Sequence, residues 1–263
     1  MFTRAIVRPP APNFAQGLTT AGLGAPDYKV ALRQHEAYCA ALEQCGLTLT
    51  SLEPDPDYPD STFVEDVAIV TDTCAILTRP GAPSRAGEVE SMRQCLSDFF
   101  EKVFEIEAPG TLDGGDICQA GDHFFIGISE RTNAAGARQL SELLRQAGFD
   151  SSAIEITKSV PGAIATGSLL HLKSGLAYLN DRRLVITAAL EDRPEFAAYD
   201  LVPVNQAELY AANCIRVNDH VLIARGHPKF ETKLRGLGYQ TIALDMSEFQ
   251  KMDGGLSCLS LRF

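Results

Sequence analysis

The chain has 263 residues, 45% of them hydrophobic, and its 34 acidic against 23 basic side chains leave a formal charge of −11. That balance argues against a nucleic-acid partner, and no run approaches the roughly eighteen apolar residues of a membrane helix. The seven cysteines are odd in number and show no C-x-x-C pair, and Met1-Phe2-Thr3-Arg4 leads into a strand rather than a signal peptide, so they read as reduced thiols of a cytoplasmic protein.

Arg4 to Arg8 reads as a strand. Residues 9–26 are rich in Pro, Gly, Ala and Thr and too long for a simple connector, which suggests a lid or binding loop. Leu18 sits in it beside Gly17, either as an apolar side chain on a hinge or as a loop residue tucked against the surface. Asp27 can cap a helix running to about Cys45, with Ala31, Tyr38, Leu42 and Cys45 facing inward. A strand, Leu47 to Leu52, follows, and then an acidic, proline-punctuated loop leading to Phe63-Val64-Glu65-Asp66.

Four β-hairpins come next, each made of two apolar runs joined at a turn centred on an aspartate. They are Val67–Val70 with Cys74–Leu77, Ile117–Cys118 with Phe124–Gly127, Leu176–Leu179 with Leu184–Ile186, and Cys214–Val217 with Val221–Ile223. Helical segments follow them. Residues 86–102 carry Val89, Met92, Leu96 and Phe99 on one face, and 133–147 carry Leu140, Leu143, Leu144 and Ala147. Shorter segments are predicted near 192–200 and 228–237, and further strands at Ala153 to Thr157 and Gln240 to Leu244.

The turn aspartates Asp72, Asp122, Asp181 and Asp219 stand 50, 59 and 38 residues apart, a degenerate repeat. A fifth unit is available if a C-terminal strand, Leu259 to Phe263, pairs with Arg4 to Arg8. Five ββαβ units closed in this way form a ring without exposed sheet edges. The expected organisation is therefore a single α/β domain over 1–263. Two separate α+β domains are the weaker reading, because no linker-like shift in composition divides the chain.

In the tail, Lys251-Met252-Asp253-Gly254-Gly255-Leu256-Ser257-Cys258, two glycines permit a sharp turn and Cys258 stands at the mouth of the last strand. A thiol held there can serve as a nucleophile, or it can be one more buried cysteine. Asp60, Glu65 and Asp66 form an acidic cluster that needs a cation nearby, whether protein, metal or substrate; a planar guanidinium fits paired carboxylates best. A charged, solvated loop is the alternative. Asp113 and Asp116 flank a Gly-Gly turn before the second hairpin, where either could orient a histidine or simply make a turn. Of the five histidines, His171 stands at the corresponding position before the third hairpin. Equivalent positions of a five-fold ring converge, so the acidic cluster, Asp113, His171 and Cys258 are expected in one cleft. Arg85 and Arg131 each follow a hairpin at a helix start, where the dipole disfavours a cation, which hints at an anionic partner. Salt bridges to Glu88 or Glu130 are the alternative.

Phe63-Val64-Glu65-Asp66, Thr78-Arg79-Pro80-Gly81-Ala82, Leu112-Asp113-Gly114-Gly115-Asp116, Gly127-Ile128-Ser129-Glu130-Arg131-Thr132-Asn133, His171-Leu172-Lys173 and Gly254-Gly255-Leu256-Ser257-Cys258-Leu259-Ser260 together resemble the dimethylarginine dimethylaminohydrolases. These are a family of the guanidine-modifying pentein superfamily. The motifs match in order along nearly the whole chain. The resemblance implies a five-bladed α/β propeller with pseudo-five-fold symmetry and hydrolysis of dimethylarginine, with monomethylarginine beside it, to citrulline and an amine. It implies Cys258 as nucleophile, His171 as acid and base, and Asp113 orienting His171. Glu65 and Asp66 would hold the guanidinium with Asp60 nearby, Arg85 and Arg131 would meet the α-carboxylate, and Leu18 and Met252 would complete substrate binding.

Two departures matter. The deiminases and amidinotransferases of the superfamily share an H-x-D motif, but here the residue two past His171 is Lys173, which leaves room for N-methyl groups. Some family members carry glutamate where Asp113 stands, so the shorter arm could change the contact with His171. No cofactor or resident metal is implied, although zinc could poison a thiolate and an imidazole. The expected partner is a small methylated arginine, with no nucleic acid and no membrane, in a monomer or homodimer. Two rivals stay open: another guanidine hydrolase, and a non-catalytic propeller that binds a macromolecule.

Overall fold

The computed structural model describes residues 1–156 and 169–263. They divide into two units, Met1–Glu65 with Asn213–Phe263, and Asp66–Ala212.

The Asp66–Ala212 unit holds three three-stranded sheets with one plan: an antiparallel hairpin whose second strand also pairs, in parallel, with a third strand. The hairpins are Ala68–Val70 with Ala75–Leu77, Ile117–Ala120 with His123–Ile128, and Leu176–Asn180 with Arg183–Ile186. The parallel partners are Val103–Glu105, Asp150–Glu155 and Asp200–Pro203. The second of these matches the strand expected from Ala153, whose predicted end at Thr157 lies outside the described residues. A parallel pair requires a crossover, and the helices Glu88–Ser97 and Ala134–Gln146 supply two of them. The first is shorter than the predicted 86–102: past Ser97 it tightens, the Asp98 and Phe99 amides turning back three residues onto the Cys95 and Leu96 carbonyls. Met92 and Leu96 are buried with Cys95, while Val89 and Phe99 are only half-buried. The second begins where Asn133 accepts from the Gly136 amide at 2.8 Å.

The helix predicted near 192–200 is absent and is replaced by a single 3-10 turn, Pro194–Phe196. The parallel strand already starts at Asp200, and Pro194 lets a turn begin there but leaves too few residues to extend it. Phe196 fills the helix's place, packing edge-on to Phe125 with centroids 4.9 Å apart.

The other unit repeats the plan twice. Ile215–Val217, His220–Ala224 and Gln240–Leu244 form one sheet, with the helix Pro228–Gly236 as crossover. In the other sheet Leu261–Arg262 lies antiparallel to Arg4–Val7, which runs parallel to Thr48–Ser51, so the two ends of the chain are stitched together as expected. The terminal strand is shorter than the predicted Leu259 to Phe263, because Ser257–Leu259 forms a 3-10 turn. The helix Tyr28–Gln44 is capped by Asp27, which accepts from the Val30 amide at 3.0 Å. Its buried face includes Ala31, Tyr38 and Leu42, as its spacing predicts. Phe14, Phe63 and Phe249 form a ring cluster in this unit, with centroids 5.5–6.3 Å apart.

Among the described residues, the five hairpin-like pairs are entered through short 3-10 segments: Val64–Val67, Gly114–Asp116, Leu172–Ser174, Gln206–Ala212, which is broken by a kink at Glu208, and Ser257–Leu259. Every one but the fourth carries or adjoins a side chain singled out above. No described helix is long and apolar enough to cross a membrane.

Tyr38 pins the last of these turns. Its buried hydroxyl lies 2.9 Å from the Leu256 carbonyl and 2.6 Å from Ser260 Oγ, on either side of Cys258. Arg262 donates to Ser260 Oγ at 2.7 Å, so the Ser260 hydroxyl is free to donate to Tyr38 while Tyr38 donates to Leu256. Burial, partly offset by Arg262, pushes the phenol up to about 12, so it stays a donor at ordinary pH. Tyr38→Phe strands both partners and should destabilise the fold by about 1–3 kcal/mol. Urea denaturation checks this; an unchanged midpoint would show that the tail is held by packing alone.

Candidate active site

Within the Asp66–Ala212 unit the turns before the hairpins build a buried ionic nest. Asp113 is fully buried and fixed at both oxygens: Oδ1 accepts from the Gly81 amide at 2.8 Å, and Oδ2 lies 3.1 Å from His171 Nε2. Its own amide donates to Thr132 Oγ1 at 3.1 Å. The short aspartate arm therefore does reach the imidazole. His171 Nδ1 has no hydrogen-bond partner among the described residues, so one ring nitrogen is oriented and the other is uncommitted.

Asp66 accepts from the Gly115 amide at 2.9 Å and pairs with Arg85 at 2.5 Å. Gly115 is required for space: a Cβ there would stand 2.7 Å from His171 Nδ1 and 2.9 Å from Asp66 Oδ1. Arg85, only 4% exposed, also makes a two-pronged pair with Glu88, at 3.0 and 2.8 Å. The salt bridge to Glu88 that the sequence left open is thus present, and Asp66 shares the guanidinium. Asp116, the other aspartate of the turn, accepts from Ser129 Oγ at 2.6 Å and the Leu172 amide at 3.0 Å. It orients the backbone beside His171 and leaves the imidazole to Asp113. Arg131 is half-buried, and its guanidinium forms no ion pair with Glu130 or any other described residue.

The charges explain the protonation states. Burial alone would lower the His171 pKa, but Asp66, Asp113 and Asp116 raise it to about 9. Burial would likewise raise Asp66, but His171 and Arg85 hold it down to about 2. Asp116 is raised by burial against the pull of His171 and its donors. Two cations, Arg85 and His171, thus face four buried carboxylates, Asp66, Glu88, Asp113 and Asp116. The excess is negative and attracts a further cation. Ligand atoms of Asp66, Asp113 and His171 lie within 4.8 Å of one another, close enough for a metal ion. Both carboxylates are already neutralised by Arg85 and the imidazole, so a metal would have to displace those pairings.

In the other unit Cys258 is half-buried on the turn Ser257–Leu259. The left-handed residue of the approach is Asp253, with φ of 57°, and not a glycine as the sequence suggests. Gly254 and Gly255 serve close packing: a Cβ would come within 2.3 Å of the Phe63 ring at one and 2.5 Å of Asn213 at the other. Ser257 Oγ donates to Glu65 Oε2 at 2.8 Å and lies 3.9 Å from Cys258 Sγ. Asp60 accepts the Leu18 amide on both oxygens at 3.1 Å. A Cβ on Gly17 would stand 2.3 Å from Asp60 Oδ1 and 3.2 Å from Met252 Cε, so Leu18, Asp60 and Met252 share one locality. Thr20 donates to Asp253 from both amide and hydroxyl, at 2.5 and 3.0 Å, and Thr19 Oγ1 donates to the Lys251 carbonyl. Leu18 itself is 42% exposed, at the start of a loop held by these side-chain bonds.

Sequence reasoning missed Asn213, which bonds Ser257 twice. The signal was available: it directly precedes the fourth hairpin, as Asp66 precedes the first.

No family model matches the chain. The N(G),N(G)-dimethylarginine dimethylaminohydrolase of Pseudomonas aeruginosa is 46% identical over 264 residues, covering all of both chains. A structure of the Pseudomonas aeruginosa enzyme, a cysteine-to-serine mutant complexed with citrulline, superposes with a TM-score of 0.94 at 45% identity over the full length of both. The N-terminal domain of cyanobacterial ArgZ, an arginine dihydrolase, has a TM-score of 0.86 at 17% identity, covering all of this chain and 97% of that one, a likeness of fold alone.

The His171 imidazole should titrate near 9 when its ring protons are followed by NMR, and Asp113→Asn should bring the midpoint down toward the ordinary 6.5. The sign for stability follows, since the folded-state value is raised. The imidazolium's contribution is complete below the ordinary histidine pKa and is lost as pH rises through about 9. Denaturation midpoints of the parent should therefore fall across that window more than those of Asp113→Asn. A parent midpoint of 6.5 would contradict the nest described here.

Proposed function

We infer the reaction from the family, for this chain belongs to the dimethylarginine dimethylaminohydrolases: it hydrolyses dimethylarginine, and with it monomethylarginine, to citrulline and the corresponding amine. Its fold class is the family's five-bladed α/β propeller of ββαβ units. The observation that carries the site assignment is the Asp113–His171 pair inside a buried nest with excess negative charge. Such a nest suits a guanidinium cation, and a protonated imidazole suits a leaving amine.

The proposed mechanism has two halves. The Cys258 thiolate attacks the guanidinium carbon and forms a C–S bond. The C–N bond to dimethylamine then breaks as the His171 imidazolium gives its proton to that nitrogen. In the second half the neutral imidazole takes a proton from water and hydroxide adds to the carbon; the C–S bond then breaks to return the thiolate, and the new hydroxyl loses its proton to solvent, where the released dimethylamine takes it up, leaving neutral citrulline. Glu65 and Asp66 hold the guanidinium nitrogens, Asp60 supports them, and Arg85 and Arg131 face the substrate's α-carboxylate. Arg85 does so while pairing with Asp66. Leu18 and Met252 close over the substrate's apolar chain. Lys173, in place of a second acidic grip, leaves space for the methyl groups. The whole 1–263 chain acts as one catalytic domain, as a monomer or homodimer in the cytoplasm, without a cofactor.

Acid quenching during turnover of dimethylarginine should trap an adduct on the peptide containing Cys258, detected by mass, and Cys258→Ser should abolish turnover. Dimethylarginine should exceed arginine in kcat/KM. Active turnover with no adduct at any quench time would refute the covalent route, and a preference for arginine would point to a different guanidine hydrolase.

A further inference from the structure

We infer that Asn213 is a positioning residue for the nucleophile's turn, acting through Ser257. This rests on the reading of Cys258 as nucleophile and extends it. The Asn213 carboxamide uses both ends on one neighbour: Oδ1 accepts from the Ser257 amide at 2.9 Å, and Nδ2 donates to Ser257 Oγ at 3.1 Å. A hydroxyl has one proton to give. With its oxygen accepting from Asn213, Ser257 gives that proton to Glu65 Oε2, 2.8 Å away. One amide therefore sets the backbone position of the residue preceding Cys258 and the direction of the hydrogen bond to Glu65, the carboxylate proposed to hold the substrate's guanidinium. The turn is also seated directly on this side chain, since a Cβ at Gly255 would stand 2.5 Å from Asn213 Cγ.

The residue type follows from these contacts. Aspartate has the same size but no donor; it would accept the Ser257 proton, turn the hydroxyl away from Glu65 and place a second charge beside it. Alanine leaves the buried Ser257 amide without its acceptor. Asn213 is also the residue that the fourth hairpin places where Asp66 stands before the first.

The test compares Asn213→Ala and Asn213→Asp with the parent in steady-state turnover of dimethylarginine, and follows the pH dependence of iodoacetamide alkylation at Cys258. Both variants should lose about 100-fold in kcat, the scale of a misplaced reacting group. Asn213→Asp should be at least as impaired as Asn213→Ala and should shift the alkylation profile. Ser257→Ala, which deletes only the hydroxyl, should raise KM, and Ser257→Thr should restore it. Should Asn213→Ala not fold, the isosteric Asn213→Asp and the Ser257 pair still decide the matter. Asn213→Asp behaving within about threefold of the parent in kcat would overturn the assignment, as would Asn213→Asp outperforming Asn213→Ala, the result expected of a side chain that merely fills space. Parent turnover that survives Cys258→Ser would instead sink the reaction on which the inference rests.

Discussion

A buried carboxylate stays ionised only where fixed donors replace its water, and four of the buried aspartates singled out above each have a backbone amide among those donors. Leu18 donates to Asp60, Gly115 to Asp66, Gly81 to Asp113 and Leu172 to Asp116. A backbone N–H cannot swing away as a lysine can. Each of these carboxylates is therefore tied to the loop or turn that serves it, and two of the amides, of Gly115 and Leu172, come from the short 3-10 turns before the hairpins. Glu65 is held differently, by a hydroxyl, and that hydroxyl needs a second group to aim it.

The same constraint explains which glycines matter and why. Gly115 and Gly255 have ordinary backbone angles, so freedom to turn is not their contribution. Each lets a polar group come closer than a Cβ would permit, His171 and Asp66 at one and the Asn213 amide at the other. The left-handed conformation beside Gly254 falls to Asp253 instead, where an acidic side chain can also take two bonds from Thr20. From sequence alone a Gly-Gly pair signals a turn, because flexibility is a local property and crowding is not.

Much of the fold was legible because its signals are local. Apolar runs around an aspartate located four hairpins, and at the turn of the third Asp181 takes a left-handed angle, φ 46°, that aspartate accepts cheaply. Asp27 and Asn133 announced their helices through a single cap. The failed helix near 192–200 had a warning in the 38-residue interval between the third and fourth turns, too short for a full crossover. Local residue patterns alone did not separate Asp113 from Asp116, which flank the same turn, and only the family resemblance singled out Asp113; in the structure Gly81 fixes Asp113 toward the imidazole while Ser129 and the Leu172 amide occupy Asp116. The sharing of Arg85 between Asp66 and Glu88 was equally out of reach, because no spacing rule relates residues 66 and 85.

The charge arrangement has a dynamic consequence for the proposed reaction. An imidazole poised near 9 holds its proton firmly at neutral pH, which guarantees an acid at the start but makes a reluctant donor. The raising effect is led by Asp66, the carboxylate proposed to receive the substrate's guanidinium. A cation docking there offsets the same negative charge that stabilises the imidazolium, so the pKa falls as the substrate arrives. His171 then becomes a better proton donor when a leaving amine is present and a stronger acid than in the empty site. The amine leaves neutral and the covalent thiouronium keeps the positive charge, so the imidazole recovers its full basicity only as hydroxide adds to that carbon and the cation is discharged. Asp113 is bonded to the ring throughout and has both oxygens committed, so it keeps the geometry constant while the electrostatics change.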